Sequence, residues 1–550
     1  MKRFFWLGFV LFLYVICTGC GDTFRPIIVP NPPIFPNPKA AHTVLAINDN
    51  GTAVHGTAMV IDVSGDTDMS IANVGYAPVH AVQQSANQVL VVNHAVDNAQ
   101  ADSISKLNFS GLSINNSTTI SLPAGSAPTF VAVAPTDTTA YVTLPTYVPD
   151  PINFPNVVVP SVGVVSTQSN NMVATITVGM NPVALAVTPN KSKLYVANQG
   201  DGTISAFNTA DRSARTITGS LTNPPIWLVA RTDNQRVYAL EQTTGTLASI
   251  DVTSTAGPDT LTEINTISVP GATTMVYDSN LNRLYIPGGP QMAIVDVSQS
   301  SPQLLATVAI PPFALLPVGS SAAATATAAA ALPDGSRAYV ASYAVLSSQF
   351  NISSVTGDGT TAIYAYNLTA GHDLTPGVTV TVTDTAAGFD GTFLVGAVVS
   401  GTAACPGTCF QAPNTTTLAA TAVSGSGTGK NIFPQVSVVN VSSNTIKKTV
   451  SIPGFPDATD PSTPQYYAPV CAPPAPATPY RATFRFMMAA GGDSSRAYLS
   501  SCDGGNVNLI DTSNDTYIEN LPAPVGNSRP PIPPNPLNPP QNPVFLFAGP

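Results

Sequence analysis

The chain has 550 residues, 52 of them Pro and 40 Gly, and only 9% are charged. Hydrophobic residues reach 44%, so the chain as a whole is not disordered. A formal net charge of −10 with only 20 Lys and Arg excludes a basic nucleic-acid binder. Three Glu (Glu241, Glu263 and Glu519) cannot furnish the wet faces of long exposed helices, so extensive α structure is excluded and an all-β chain is expected.

Lys2 and Arg3 open a short positive region, followed by an apolar run over 4–16 that is too short to span a bilayer. Residues 1–19 therefore read as a cleaved export signal. Its end, Cys17-Thr18-Gly19-Cys20, resembles a bacterial lipobox, with Cys17 where a Leu is usual. The resemblance implies lipidation at Cys20, and Gly21 after it implies the outer membrane. The expected location is an exported lipoprotein of the outer membrane or cell surface, the periplasmic side included. Residues 20–41 carry the lipid site and a Pro-rich tether: Pro26, Pro30, Pro32, Pro33, Pro36 and Pro38 favour extended polyproline II over roughly 60 Å.

Residues 42–550 are governed by repeats. One phrase, small or β-branched residues around Tyr-Val, occurs eight times. Examples are Ala140-Tyr141-Val142, Leu194-Tyr195-Val196, Val237-Tyr238-Ala239, Leu284-Tyr285-Ile286, Ala338-Tyr339-Val340 and Ala497-Tyr498-Leu499, with Val89-Leu90-Val91 and Val44-Leu45-Ala46 as weaker copies. A second strand follows each copy and ends at Asp62, Asn108, Ser166, Asn208, Asp251, Asp296, Asn440 or Asp511. Such side chains accept from nearby backbone N–H groups and start turns, so these acids are expected to be turn-makers rather than catalysts. From Asp62 to Asp296 the spacings are 46, 58, 42, 43 and 45 residues, the period of a four-stranded propeller blade. The phrase Asn190-Lys191-Ser192-Lys193-Leu194-Tyr195-Val196-Ala197-Asn198, with Val178-Gly179-Met180-Asn181-Pro182 before it, resembles the YVTN family of β-propeller repeats. The only Trp are Trp6 and Trp227, so WD40 signatures and the Trp motifs of quinoprotein dehydrogenases are absent.

The strands of a blade are lettered A to D from the central channel outward. Seven A strands lie between blades, and 544–550 at the C-terminus has the character of the eighth. The expected fold is an all-β propeller of eight four-stranded blades, with seven as the alternative, closed by the C-terminal strand. D–A and B–C connections then share one face. The long segments 145–160, 343–434, 456–480 and 523–543 all belong to it, and long loops on a rigid scaffold carry function. The tether would enter at the opposite face, so the elaborated face is expected to point away from the membrane. Segment 343–434 is expected to be a small β-rich insertion, although Ile363-Tyr364-Ala365-Tyr366 could serve as strand C of its blade.

Export permits disulfides. Cys405-Pro-Gly-Thr-Cys409 is a tight loop that could close on itself, which leaves Cys471 and Cys502 as the second pair, both on the elaborated face. Chemistry is sparse. His42, His55, His80, His94 and His372 read as ordinary polar or core residues, although His80 and His94 share a hairpin. No metal or cofactor is expected. Residues 425–430 suggest a phosphate loop but carry Ser424 and Asn431 at required positions, and read as flexible linker. Asp66-Thr67-Asp68 reads as a turn, and Glu241 as a possible acid without a visible partner. No catalytic residue can be named. The expected function is a monomeric, lipid-anchored binding scaffold whose loop-rich face takes a protein or glycan. The alternatives are a lactonase-like hydrolase, an activity found among propellers similar to this family, and a purely structural envelope protein.

Overall fold

The computed structural model describes residues 43–50, 55–62, 67–85, 87–94, 101–110, 113–313, 322–371, 373–374, 378–402, 405–456, 471, 485–522 and 542–548. The signal, Cys20, the tether, His42, His372 and most of 456–480 and 523–543 lie outside them. No helix among the described residues is long and apolar enough to cross a membrane.

The described strands form eight radial sheets. Counting from Pro78, the first blade is Pro78–Ser85, Gln88–Asn93, Ser103–Ser110 and Ser113–Ser121, from A to D. The fourth is Pro225–Ala230, Arg236–Glu241, Thr246–Asp251 and Asp259–Ser268, with Ile217–Thr218 laid parallel along its outer edge. Six sheets are plain four-stranded blades, the fourth has that fifth strand, and the sixth carries the insertion. The closing blade takes its A strand, Pro543–Ala548, from the C-terminus, pairing Leu45 with Phe547 and Ile47 with Phe545 beside strands Thr43–Asn48, His55–Asp62 and Thr67–Tyr76. Closure satisfies the N–H and C=O rows of two strands that would otherwise be open edges.

The repeated phrases acquire physical roles here. The Tyr of the B strand fills the space between blades: Tyr195, Tyr238, Tyr285, Tyr339 and Tyr498 are among the largest fully buried side chains. The turn position at the end of strand C behaves as expected in four blades, whereas Asn108 and Asn208 accept from the side chains of Gln88 and Arg215. The side-chain oxygen of Asp251 accepts the N–H of Thr253 (3.0 Å), that of Asp296 the N–H of Ser298 (2.8 Å), and those of Asn440 and Asp511 the N–H groups of Ser442 and Ser513. Each is a local turn bond.

The next residue then ties the ring together. Its N–H donates to the A–B hairpin of its own blade, as in Thr167 to Thr138 (2.8 Å), Val252 to Gln235 (3.1 Å) and Val297 to Asn282 (2.8 Å). Its carbonyl accepts from a cation of the preceding blade. Lys106 reaches Thr167 (2.8 Å), Lys193 reaches Val252 (2.6 Å) and Arg283 reaches Val441 (2.8 Å); Arg231 and Arg337 do the same to Val297 and Thr512. A strong cationic donor thus bridges each of these five seams.

The insertion is not joined to its blade by loops. Strands B and C of the sixth blade simply continue outward as Arg337–Asp358 and Thr417–Asn440, paired from Arg337↔Asn440 to Asp358↔Thr417. About 15 residues of each rise beyond the disc, roughly 50 Å of strand. Strands Thr361–Gly371, Thr379–Thr383, Gly391–Leu394, Ala397–Thr402 and Cys405–Pro413 widen this arm into a sheet curled around Phe350, Tyr364, Val380, Phe389 and Phe410. Two expectations are corrected. Ile363-Tyr364-Ala365-Tyr366 belongs to the arm, because Arg337–Asp358 itself pairs with Thr417–Asn440 and so makes the latter strand C. Residues 425–430 are not a linker but part of that same strand.

Candidate functional site

Each A strand starts at the elaborated face, and five share one irregularity. Pro78, Pro182, Pro225, Ala326 and Pro543 open a bulge that re-aims the residue two positions on. Those residues are His80, Ala184, Trp227, Ala328 and Phe545. Phe130, two residues after Pro128, and Met487 occupy the matching positions of the second and seventh blades. The large members of this layer meet at the axis. His80 stacks on Phe130 (ring centroids 3.7 Å apart), and Trp227 lies edge-on to Phe130 (5.4 Å) and His80 (6.3 Å). Phe545 completes the set, 5.5 Å from His80. The channel is thus floored with aromatic rings just inside the elaborated face. Burial pushes His80 down to about 3, and its Nδ1 accepts the N–H of Val131 (3.3 Å), so the ring is neutral.

Polar groups ring this floor. Arg485, just before the seventh A strand, makes a two-pronged bond to buried Asp503 (2.7 and 3.0 Å) and covers the ring of Tyr343 at 5.2 Å. Beside it the Cys471–Cys502 disulfide packs with Leu45, Ile47 and Phe545. On the other side Asn181 donates to Gln199 (2.7 Å), which donates to Gln242 (2.9 Å) across the seam of the third and fourth blades. Glu241 does have partners. Asn223 donates to its Oε2 (3.0 Å), and the Glu263 carboxyl, which holds the adjacent Thr222, stands beside it. Burial first, and the Glu263 carboxyl second, raise Glu241 to about 7, while Glu263 is held below its ordinary value by the Glu241 carboxyl and by Thr222.

Around this rim the face is tall and apolar. Loop 145–160 is an ordered platform: Val159 N–H bonds Tyr147 O (2.8 Å), Phe154 N–H bonds Asp150 O (2.9 Å), and Asn153 is held by both carboxylate oxygens of Asp150. It presents Ile152 (88% exposed), Phe154 (61%) and Val157 (52%), with Met180 (62%) on the next D–A connection. The arm stands on the same face and is stapled by Cys405–Cys409.

The structure separates the two His that share a hairpin. His80 is in the aromatic floor, whereas His94 faces Asp102 (Nδ1 to Oδ1 3.2 Å). Among the described residues no group of three or more His, Cys, Asp or Glu gathers as a metal site would require. Thr67 and Asp68 open a D strand instead of a turn, and Asp66 lies outside the described residues. The floor was missed by sequence reasoning, although a signal existed: Pro78-Val79-His80, Pro128-Thr129-Phe130, Pro225-Ile226-Trp227 and Pro543-Val544-Phe545 place a ring two residues after each Pro. Nothing local announced the Glu241–Glu263 or Arg485–Asp503 pairs.

No family model and no curated protein matches the chain. Among solved structures it is similar to apo AztD from Citrobacter koseri, at 9% identity over 92% of this chain and 98% of that one, with a TM-score of 0.47. It is also similar to hydrazine synthase from Kuenenia stuttgartiensis (12%, 80% and 96%, TM-score 0.41). A third is a functionally unknown protein from Desulfotomaculum acetoxidans (11%, 87% and 95%, TM-score 0.38). The propeller assignment rests on the sheet topology itself.

Proposed function

We propose that this chain is an exported, lipid-anchored propeller of the YVTN-repeat type that binds a macromolecular partner, protein or glycan, on its elaborated face. The observation that supports it most is the continuous pairing of the sixth blade into the arm. Rigid strands, rather than a loose loop, hold a curled sheet tens of ångströms above the disc, beside an apolar platform at Ile152 and Phe154. A hydrolase is less favoured, because the inner strands bring neutral His80 and aromatic rings to the axis where reacting carboxylates would be wanted.

Ala344 and Phe433 are register partners, so residues 345–432 can be replaced by an Asn-Gly hairpin turn without cutting the blade. Photo-crosslinkers at Phe154 and Leu368, compared with one at Arg212 on the opposite face, test the reading in cells. Discrete adducts from the first two only, lost from Phe154 and the disc on arm removal, are expected. Adducts from all three or from none, or turnover of lactones by the pure protein, would overturn it. Labelled palmitate entering the chain, but not a Cys20→Ser variant, checks the anchor.

A further inference from the structure

We infer that Glu241 and Glu263 form a proton-operated clasp on the connection between the third and fourth blades, closed while the pair holds one proton and released when it holds none.

The geometry gives the clasp its parts. Connection 219–224 crosses the elaborated face from blade three to the fourth A strand. It is gripped twice: the Thr222 N–H and Oγ1 donate to Glu263, the latter at 2.9 Å, and Asn223 Nδ2 donates to Glu241 Oε2 at 3.0 Å. The two grips hold consecutive residues, which brings the Glu241 and Glu263 carboxyl groups side by side. Glu241 is completely buried, and its Oε1 meets no N–H or O–H donor. A buried carboxylate oxygen without a donor is costly, and a proton placed on it turns it into the donor that Glu263 accepts. Two carboxyl groups this close cannot both ionise cheaply.

Neighbouring charges do not relieve the pair. Arg236 and Asp251 pair with each other at the far end of their strands (2.6 Å), as does Asp259 with Lys193 and Arg215. Asp201, across the seam, is engaged by the Met180 N–H (2.9 Å). Among the described residues no Lys or Arg forms an ion pair with Glu241 or Glu263. Loss of the shared proton therefore leaves two adjacent anions, one of them buried, and the connection they hold is released toward solvent.

The chain contains only three Glu, so labelling Glu at Cδ yields three carbon resonances that can be followed through a titration. One is expected to titrate near 7 and to move down in Glu263→Gln while staying above the ordinary range, because burial remains. Hydrogen exchange reads the consequence. Protection of the Thr222 amide, corrected for intrinsic rate, should fall about tenfold or more between pH 6 and 8, while the Arg231 amide of the same blade stays constant. In Glu241→Gln, whose amide donates at every pH, protection should not change. Three ordinary midpoints, a flat wild-type profile, or the same fall in Glu241→Gln would each overturn the inference.

Discussion

Trp227 of the fourth blade lies edge-on to His80 of the first, ring centroids 6.3 Å apart, although three seams separate their strands around the ring. The indole also packs with core clusters of both neighbouring arcs. Trp227→Ala should therefore remove a brace across the axis and lower stability by about 3 kcal/mol. Urea unfolding followed by circular dichroism checks this, and an unchanged midpoint would show that the floor is decoration.

His80 makes the floor acid-sensitive. Its folded value, about 3, lies below the ordinary 6.5 of the unfolded chain. The unfolded state thus binds a proton that the folded state refuses. Stability is expected to fall as pH drops from 6.5 toward 3, by on the order of 4 kcal/mol at the limit. In His80→Asn, which can still accept from Val131, this dependence should flatten while the unfolding reaction remains intact.

Asp259 is a second weak point. It is fully buried and accepts from Lys193 (2.9 Å), Tyr195 (2.7 Å) and Arg215 (3.0 Å), which hold it below the ordinary carboxylate range against the effect of burial. Asp259→Ala leaves the Lys193 and Arg215 charges without their counter-charge and should cost about 3–5 kcal/mol. Asp211→Ala, which removes only exposed turn bonds to Ser213, should leave the melting temperature nearly unchanged. Equal effects in thermal melts would refute the distinction.

The D–A connections offer a gain and a loss. Ala77, Ala127 and Asn181, each before the Pro that leads into an A strand, have φ of 42°, 49° and 51°. Asn tolerates this region better than Ala, so Ala127→Asn should stabilise by about 0.5–1 kcal/mol. Gly179→Ala should do the opposite, because a Cβ there would stand 2.4 Å from Asp201 Oδ2 and 2.7 Å from Asn198 Cγ. Melting temperatures moving in opposite directions are the expected result.

Much of this was readable in advance because it is short-range chemistry. An Asp at the end of strand C captures an N–H two residues ahead through contacts local to the turn, as Asp251 and Asp296 do. The C-terminal strand could be anticipated because the first three repeat strands lacked a fourth. The arm was misjudged at its base: nothing near Tyr343 or Pro434 distinguishes a strand that ends from one that continues, since that depends on a partner 91 residues away. Residues 425–430 misled for a related reason. Their Gly-rich run looks loose, yet Gly427 is needed where a Cβ would strike the ring of Phe350 at 2.2 Å.

The repeat period, the turn chemistry and the near absence of Glu specify a ring of small sheets without reference to anything distant, since each operates within a few covalent bonds. Which side chains share the axis, which seam receives a cation and which two of three glutamates meet are different questions. Those pairings join residues brought close only when strands and blades pack on one another. Their energies come from burial and from charge at short distance, and neither exists until that packing has formed.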